Sequence, residues 1–113
     1  MKKKFIDPLI KRKANLTKNV QFCKGDIPLP SVIEVSESGT CNRVCSFCPR
    51  SAPDFQDIKK FISEDLIIKL SQELSSYDYG GIFLFSGFVE PMLDKNIYNL
   101  VHVVRSNLPK AKI

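Results

Sequence analysis

The sequence predicts an α/β fold, the N-terminal part of a larger (β/α) barrel with parallel strands. Three observations predict it. Strand-like and helix-like segments alternate from residue 31 onward. The run Ile82-Phe83-Leu84-Phe85 follows a glycine pair and is continuously apolar, as in a strand covered on both faces. The order then breaks off at the opening of a third strand, and two strands with a stub cannot close a barrel.

The elements follow in order. Residues 1–30 show no clean hydrophobic period and end in Pro28-Leu29-Pro30, a stiff extended stop. They read as a basic N-terminal extension. Val32-Ile33-Glu34-Val35 is rich in β-branched residues and reads as a strand. Glu37 to Ile62 reads as a long loop, and long loops in compact domains are often functional. Ser63 is an N-cap candidate, with Glu64 and Asp65 in the first turn where the helix dipole favours acids. Leu66, Leu70 and Leu74, joined by Ile67, form an apolar stripe. That helix should fade near Ser75-Ser76, before Gly80-Gly81. Asp94 is the next N-cap candidate. Ile97, Leu100, Val101, Val104 and Leu108 make a second helical stripe that Pro109 ends. Lys110 to Ile113 opens a third strand. Such alternation implies parallel strands joined by helical crossovers. Residues 31–113 are thus expected to be an incomplete barrel core of two βα units and the start of a third strand.

Composition bounds the function. The chain has 113 residues, 43% hydrophobic and 26% charged, ordinary values for one small globular domain. No apolar run reaches the length of a membrane span, and no apolar region follows the basic N-terminus as in a signal peptide. A cytoplasmic protein without a membrane partner is expected. The net charge of +5 is uneven. The first thirty residues carry Lys2, Lys3, Lys4, Lys11, Arg12, Lys13, Lys18 and Lys24 against Asp7 and Asp26, and the remainder nets −1. No aromatic stacking platform accompanies these lysines, so a solvated extension is expected rather than a nucleic-acid surface.

The chemistry lies in Cys41, Cys45 and Cys48, a C-x3-C-x2-C pattern. Three thiolates can hold three corners of a metal–sulfur cube and leave the fourth iron open. A complete protein cage supplies four soft ligands. Structural zinc wants four ligands as well, usually as two C-x2-C pairs, and only one pair exists here. A disulfide framework belongs to secreted chains, and a redox C-x-x-C leaves Cys41 unexplained. Cys23 reads as a free, partly buried thiol, and His102 as a flank or core residue.

A second motif, Phe85-Ser86-Gly87-Phe88-Val89-Glu90-Pro91, leaves the second strand. Parallel α/β folds gather their sites at the carboxyl ends of the strands, so both loops should share one face. Glu90 is the acid expected to point at whatever binds an open iron, and a carboxylate there suits an ammonium group.

The two motifs together resemble the radical S-adenosylmethionine superfamily. The resemblance implies that Cys41, Cys45 and Cys48 ligate a [4Fe-4S] cluster whose fourth iron is chelated by the methionine part of S-adenosylmethionine. One electron from the cluster would then cleave the sulfonium to a 5′-deoxyadenosyl radical, which abstracts hydrogen from a substrate. Phe47 matches the family's aromatic beside the adenine. Glu90, with the backbone of Ser86, Gly87, Phe88 and Val89, matches the loop that receives the methionine amino group. Val89 stands where the family usually has glycine, and would be strained if that position required positive φ. The family implies a reductant such as flavodoxin or ferredoxin and a small-molecule or peptide substrate. Cys48-Pro49-Arg50-Ser51 and Phe85-Ser86-Gly87-Phe88 are similar to members with a second cluster domain of the SPASM type. The competing expectations are a small zinc- or iron-binding interaction module without catalysis, and a truncated chain inactive on its own.

Overall fold

In the computed structural model, residues 7, 9–18, 20–23 and 25–113 are described. Lys2, Lys3, Lys4 and Lys24 of the basic segment lie outside them. The chain divides into two compact units, Met1–Ser31 and Val32–Ile113.

The first unit holds a helix that the sequence reading lacked, α1 (Ile10–Lys18). Asp7 opens it: its Oδ1 accepts from the Leu9 amide at 2.8 Å, and its carbonyl accepts from the Ile10 amide at 3.0 Å. Lys18 closes the last turn, where a cation suits the dipole. The missed signal was this acid ahead of good helix formers, since no apolar stripe marks the segment. Phe22 and Pro28 then form an antiparallel bridge around a turn in which Gly25 takes φ +79°.

In the second unit, β1 (Val32–Val35) pairs in parallel with β4 (Ile82–Phe85), Val32 opposite Ile82 and Val35 opposite Phe85. This is the fold expected from the alternation. Lys112 bridges Ile82 in parallel, its amide donating to the Gly81 carbonyl at 3.0 Å while its carbonyl accepts from Phe83 at 2.7 Å. The expected third strand therefore begins beside β4.

Between β1 and β4 the expected loop is in part structured. β2 (Ser38–Gly39) pairs antiparallel with β3 (Ile58–Phe61), and Pro49–Ser51 forms a single 3-10 turn. Gly39 permits that pairing, because a Cβ there would lie 2.1 Å from the Ile58 carbonyl oxygen.

Helix α2 (Glu64–Ser75) starts at Ser63, whose hydroxyl accepts from the Leu66 amide. Its buried seam is Ile67, Ser71 and Leu74, whereas Leu66 is 53% exposed. Ile67 and Leu74 of the expected stripe are thus in the seam, while Ser71 takes the place between them, because the i, i+4, i+7 positions meet the neighbouring helix. Helix α3 (Ile97–Asn107) packs on α2 and buries Leu100 and Val104, with Leu108 just beyond it. The N-cap of α3 is Asn96 and not the expected Asp94, which closes the preceding 3-10 turn and whose Oδ1 accepts from the Asn96 amide at 2.8 Å. His102 is exposed on the outer face and stacks on Tyr98. With Phe83 and Tyr79, these seams form the core. Asn107 joins the helices by donating to the buried Ser71 hydroxyl at 2.8 Å. Among the described residues no helix is long and apolar enough to cross a membrane.

Candidate functional site

Parallel pairing of β1 with β4 sends both outgoing loops to one end of the sheet. They are stitched together there. The Ser86 amide donates to the Val35 carbonyl at 3.1 Å, and the Ser36 hydroxyl donates to the Ser86 carbonyl at 3.2 Å. Ser86 itself donates to Glu34 Oε1 at 3.0 Å. The Glu90 amide donates to the Thr40 carbonyl at 3.2 Å, one residue before Cys41. Gly87 makes the approach possible. It sits at φ +116°, and a Cβ there would lie 2.4 Å from the Ser36 hydroxyl. Val89 does not take positive φ, so the expected strain at that residue is absent.

The cysteine segment is locally folded. The Cys48 amide donates to the Cys45 carbonyl at 3.0 Å, and the Ser51 hydroxyl caps the Cys48 carbonyl at 2.7 Å. Pro49 then opens the 3-10 turn, where a missing N–H costs nothing. The Arg43 amide points at Cys41 Sγ, 3.4 Å away. All three thiols are free and half-buried. Cys23 belongs to the other unit, where its thiol donates to the Ile27 carbonyl.

Cys41, Cys45 and Cys48 line two cavities together. One, of 160 Å³, also has Arg43, Arg50, Ser51 and Asp57 in its walls. The other, of 250 Å³, adds Phe47, Gly87, Phe88 and Val89. Residues singled out from both motifs therefore meet around one space. Phe47 is 88% exposed and lends its ring to that wall. Ser86 is not in the wall and acts as the loop's anchor to β1.

Glu90 lines a third cavity, of 370 Å³, with Asn42, Arg43, Met92 and Leu93. Its side chain is only 17% exposed. Oε2 accepts from Arg43 Nε at 2.8 Å, and Oε1 accepts from the Met92 amide at 3.2 Å, capping the turn Pro91–Leu93. Arg43 first, and the Met92 amide second, hold the Glu90 carboxyl below its usual range. The acid is ionised and already faces a cation.

Three free thiols around one cavity are a soft donor set, of the kind that iron–sulfur clusters and zinc both take. Among the described residues, no group of three or more His, Cys, Asp or Glu side chains is already arranged to hold a metal ion.

Sequence reasoning missed two features. Glu37 is fully buried, and neither carboxylate oxygen has a hydrogen-bond partner. Burial, chiefly, pushes its pKa up. Its own backbone amide and the Ser38 hydroxyl, close by without forming full hydrogen bonds, oppose this, and the Asp94 and Glu90 carboxylates add a little to the rise. Asp94 is 6% exposed with one oxygen unpartnered. The second feature is Arg50, which turns inward. Nothing local distinguishes either residue from an ordinary surface charge.

The sheet, with its parallel strand pair and flanking helices, has a mixed α/β fold similar to a radical S-adenosylmethionine-type partial barrel. A solved structure of BtrN in complex with AdoMet and 2-DOIA superimposes with a TM-score of 0.67 at 34% identity, covering 74% of this chain and 33% of that one. A second BtrN structure, in an open conformation, gives 0.63 at 34% identity over 74% of this chain and 36% of that one. In sequence, the chain is 33% identical over 82 residues to an S-adenosyl-L-methionine-dependent 2-deoxy-scyllo-inosamine dehydrogenase of Niallia circulans. The match takes in 73% of this chain and 32% of the relative, so the chain spans about a third of that protein's length. No family model matches the chain. These findings correct the family reading taken from the motifs. The kinship found is to BtrN and to this dehydrogenase, neither described by a SPASM-type domain, and the similarity to SPASM members is withdrawn. The short stretches behind it, around Pro49-Arg50 and Ser86-Gly87, are accounted for by local structure: a 3-10 turn and a glycine at positive φ.

Proposed function

We propose that this chain is the cluster- and cofactor-binding part of a radical S-adenosylmethionine enzyme. The observation that carries the reading is the cavity walled jointly by Cys41, Cys45, Cys48, Phe47 and by Gly87, Phe88 and Val89, at the carboxyl ends of two parallel strands. The similarity to BtrN, solved with AdoMet, supports the choice of cofactor.

In this reading Cys41, Cys45 and Cys48 hold three irons of a [4Fe-4S] cluster. A cluster held there would supply the one electron that cleavage of the S-adenosylmethionine sulfonium requires. The residues of this chain bind and orient. Phe47 offers an exposed ring face to the adenine. Glu90 receives the methionine ammonium, for which its ionised carboxylate is suited. Arg43 occupies that carboxylate in the structure and must yield to the incoming ammonium. The stitches from Thr40 to Glu90 and from Ser36 to Ser86 hold the two loops at fixed spacing. An external reductant, of the flavodoxin or ferredoxin kind, completes the scheme.

Anaerobic reconstitution with iron and sulfide tests the reading, followed by equilibrium dialysis against S-adenosylmethionine. About four irons per chain are expected, lost in Cys41→Ala, Cys45→Ala or Cys48→Ala and kept in Cys23→Ala. Equal loss in the Cys23 variant, or stoichiometric zinc in place of iron, overturns it. In a protein that turns over, 2-deoxy-scyllo-inosamine is the first compound to assay, since the relative is named for it.

A further inference from the structure

Arg50 is a charged side chain with only 8% of its surface exposed. Such burial is rare for arginine and calls for a reason. Three contacts hold the guanidinium. It donates to the Gly39 carbonyl at 3.3 Å, on the strand that leads into the cysteine segment. It pairs with Asp57, just ahead of β3. It lies over the ring of Phe55, 4.7 Å from the centroid. Pro49 and the 3-10 turn carry it inward from Cys48, two residues back. Arg50 and Asp57 both line the 160 Å³ cavity that Cys41, Cys45 and Cys48 share.

The two charges of the pair are not equally shielded. Asp57 is 46% exposed, and water screens its field. Arg50 is buried, and its charge acts through protein of lower dielectric. The pair therefore presents a net positive field to the cavity. Arg43 also lines that wall, but it is 70% exposed, so water screens its charge and it contributes less.

Resting on the proposed cluster site, we infer that Arg50 is a positioning residue that sets the reduction potential of the cluster, with Asp57 as its counterweight. Three thiolates make the assembly anionic, and reduction adds one more negative charge. A buried cation stabilises the reduced state more than the oxidised one and raises the potential. Net charge, hydrogen bonding and solvent exposure are the levers by which a protein tunes such a group. Phe55 and the Gly39 carbonyl fix the guanidinium so that its field does not relax away.

The test uses the whole chain, reconstituted anaerobically, in three variants: Arg50→Gln, Arg50→Lys and Asp57→Asn. Iron and sulfide are counted first. The midpoint potential is then read by electron paramagnetic resonance during a dye-mediated titration, and thermal unfolding is followed separately. Arg50→Gln should shift the potential down. Asp57→Asn should shift it up, by less than Arg50→Gln shifts it down, because the counter-charge that is lost was already partly screened by water. Arg50→Lys should keep most of the potential while losing thermal stability, since lysine retains the charge but neither the planar fork nor the stacking. Equal downward shifts in the Gln and Lys variants mean that Arg50 is only a brace, and overturn the inference. So does an unmoved potential in Asp57→Asn, which stands as the deciding variant if Arg50→Gln fails to load iron. Failure of the unaltered chain to take up iron through the three cysteines is a different result. It removes the cluster reading, and this inference with it.

Discussion

Gly87→Ala is the sharpest structural perturbation of the site. Gly87 holds φ +116°, and an alanine Cβ would sit 2.4 Å from the Ser36 hydroxyl oxygen. Two costs follow. Forcing a Cβ into that backbone region costs about 1–3 kcal/mol. Moving Ser36 away breaks its bond to the Ser86 carbonyl, worth roughly 1 kcal/mol. The expected loss is about 2–4 kcal/mol in all. The chain has no Trp, so urea unfolding is followed by circular dichroism and by fluorescence of the buried Tyr79. Ser36→Ala separates the two costs. It removes the clashing atom and leaves the Ser36 Cβ at 3.6 Å, an ordinary contact. The double variant should therefore be less damaged than the sum of the singles, by about 1 kcal/mol. Strict additivity, or a Gly87→Ala cost under about 0.5 kcal/mol, would refute the account of how the two loops are held together.

Further perturbations address the carboxylates and the helix start. Glu37 has a raised folded-state pKa, so the folded chain binds more protons than the unfolded chain once pH exceeds the ordinary carboxyl value. Its stabilising contribution is complete in acid and is lost as pH rises through that range toward the folded-state pKa. Glu37→Gln should therefore be more stable than the unaltered chain at pH 7, read as a higher Tm, with the difference shrinking as pH falls toward the ordinary carboxyl range. A difference independent of pH in thermal scans would contradict this. Glu90→Gln should weaken S-adenosylmethionine binding about tenfold in calorimetry and leave iron uptake intact, because the charge-assisted contact is lost and the thiols are not touched. Unchanged affinity would reduce Glu90 to the cap of the Pro91–Leu93 turn. Ser63→Ala should cost about 0.5–1 kcal/mol, the low end for an N-cap, since its bond to Leu66 is long at 3.4 Å. Urea midpoints check it.

Much of the fold could be read directly from the chain, because local patterns decide it. β-branched residues at 32–35 and the apolar run at 82–85 form strands whose bounds match the reading, and Ser63 caps α2 as expected. The α3 seam of Leu100, Val104 and Leu108 follows from period alone. Where local signals were weak, tertiary structure decided. In α2 the expected Ile67 and Leu74 are buried, but Ser71 joins them while Leu66 stays exposed, because the facing helix chooses which side of a wide stripe to cover. α1 lacks a stripe altogether and rests on the Asp7 cap. β2 and β3 form where Gly39 lets two backbones approach, a contact nineteen residues apart along the chain.

The site divides along the same line. The spacing of Cys41, Cys45 and Cys48 and the position of Glu90 after an apolar run were visible in the sequence because they are short-range patterns. That the two loops share a cavity depends on parallel pairing of strands fifty residues apart, Val32 with Ile82. The ion pair of Arg43 with Glu90, the inward turn of Arg50 onto Asp57 and Phe55, and the burial of Glu37 also belong to the tertiary structure alone. A charge carries no mark in sequence of whether water or protein will surround it. Only the packed chain sets the dielectric and the partner, and with them what each charge can do.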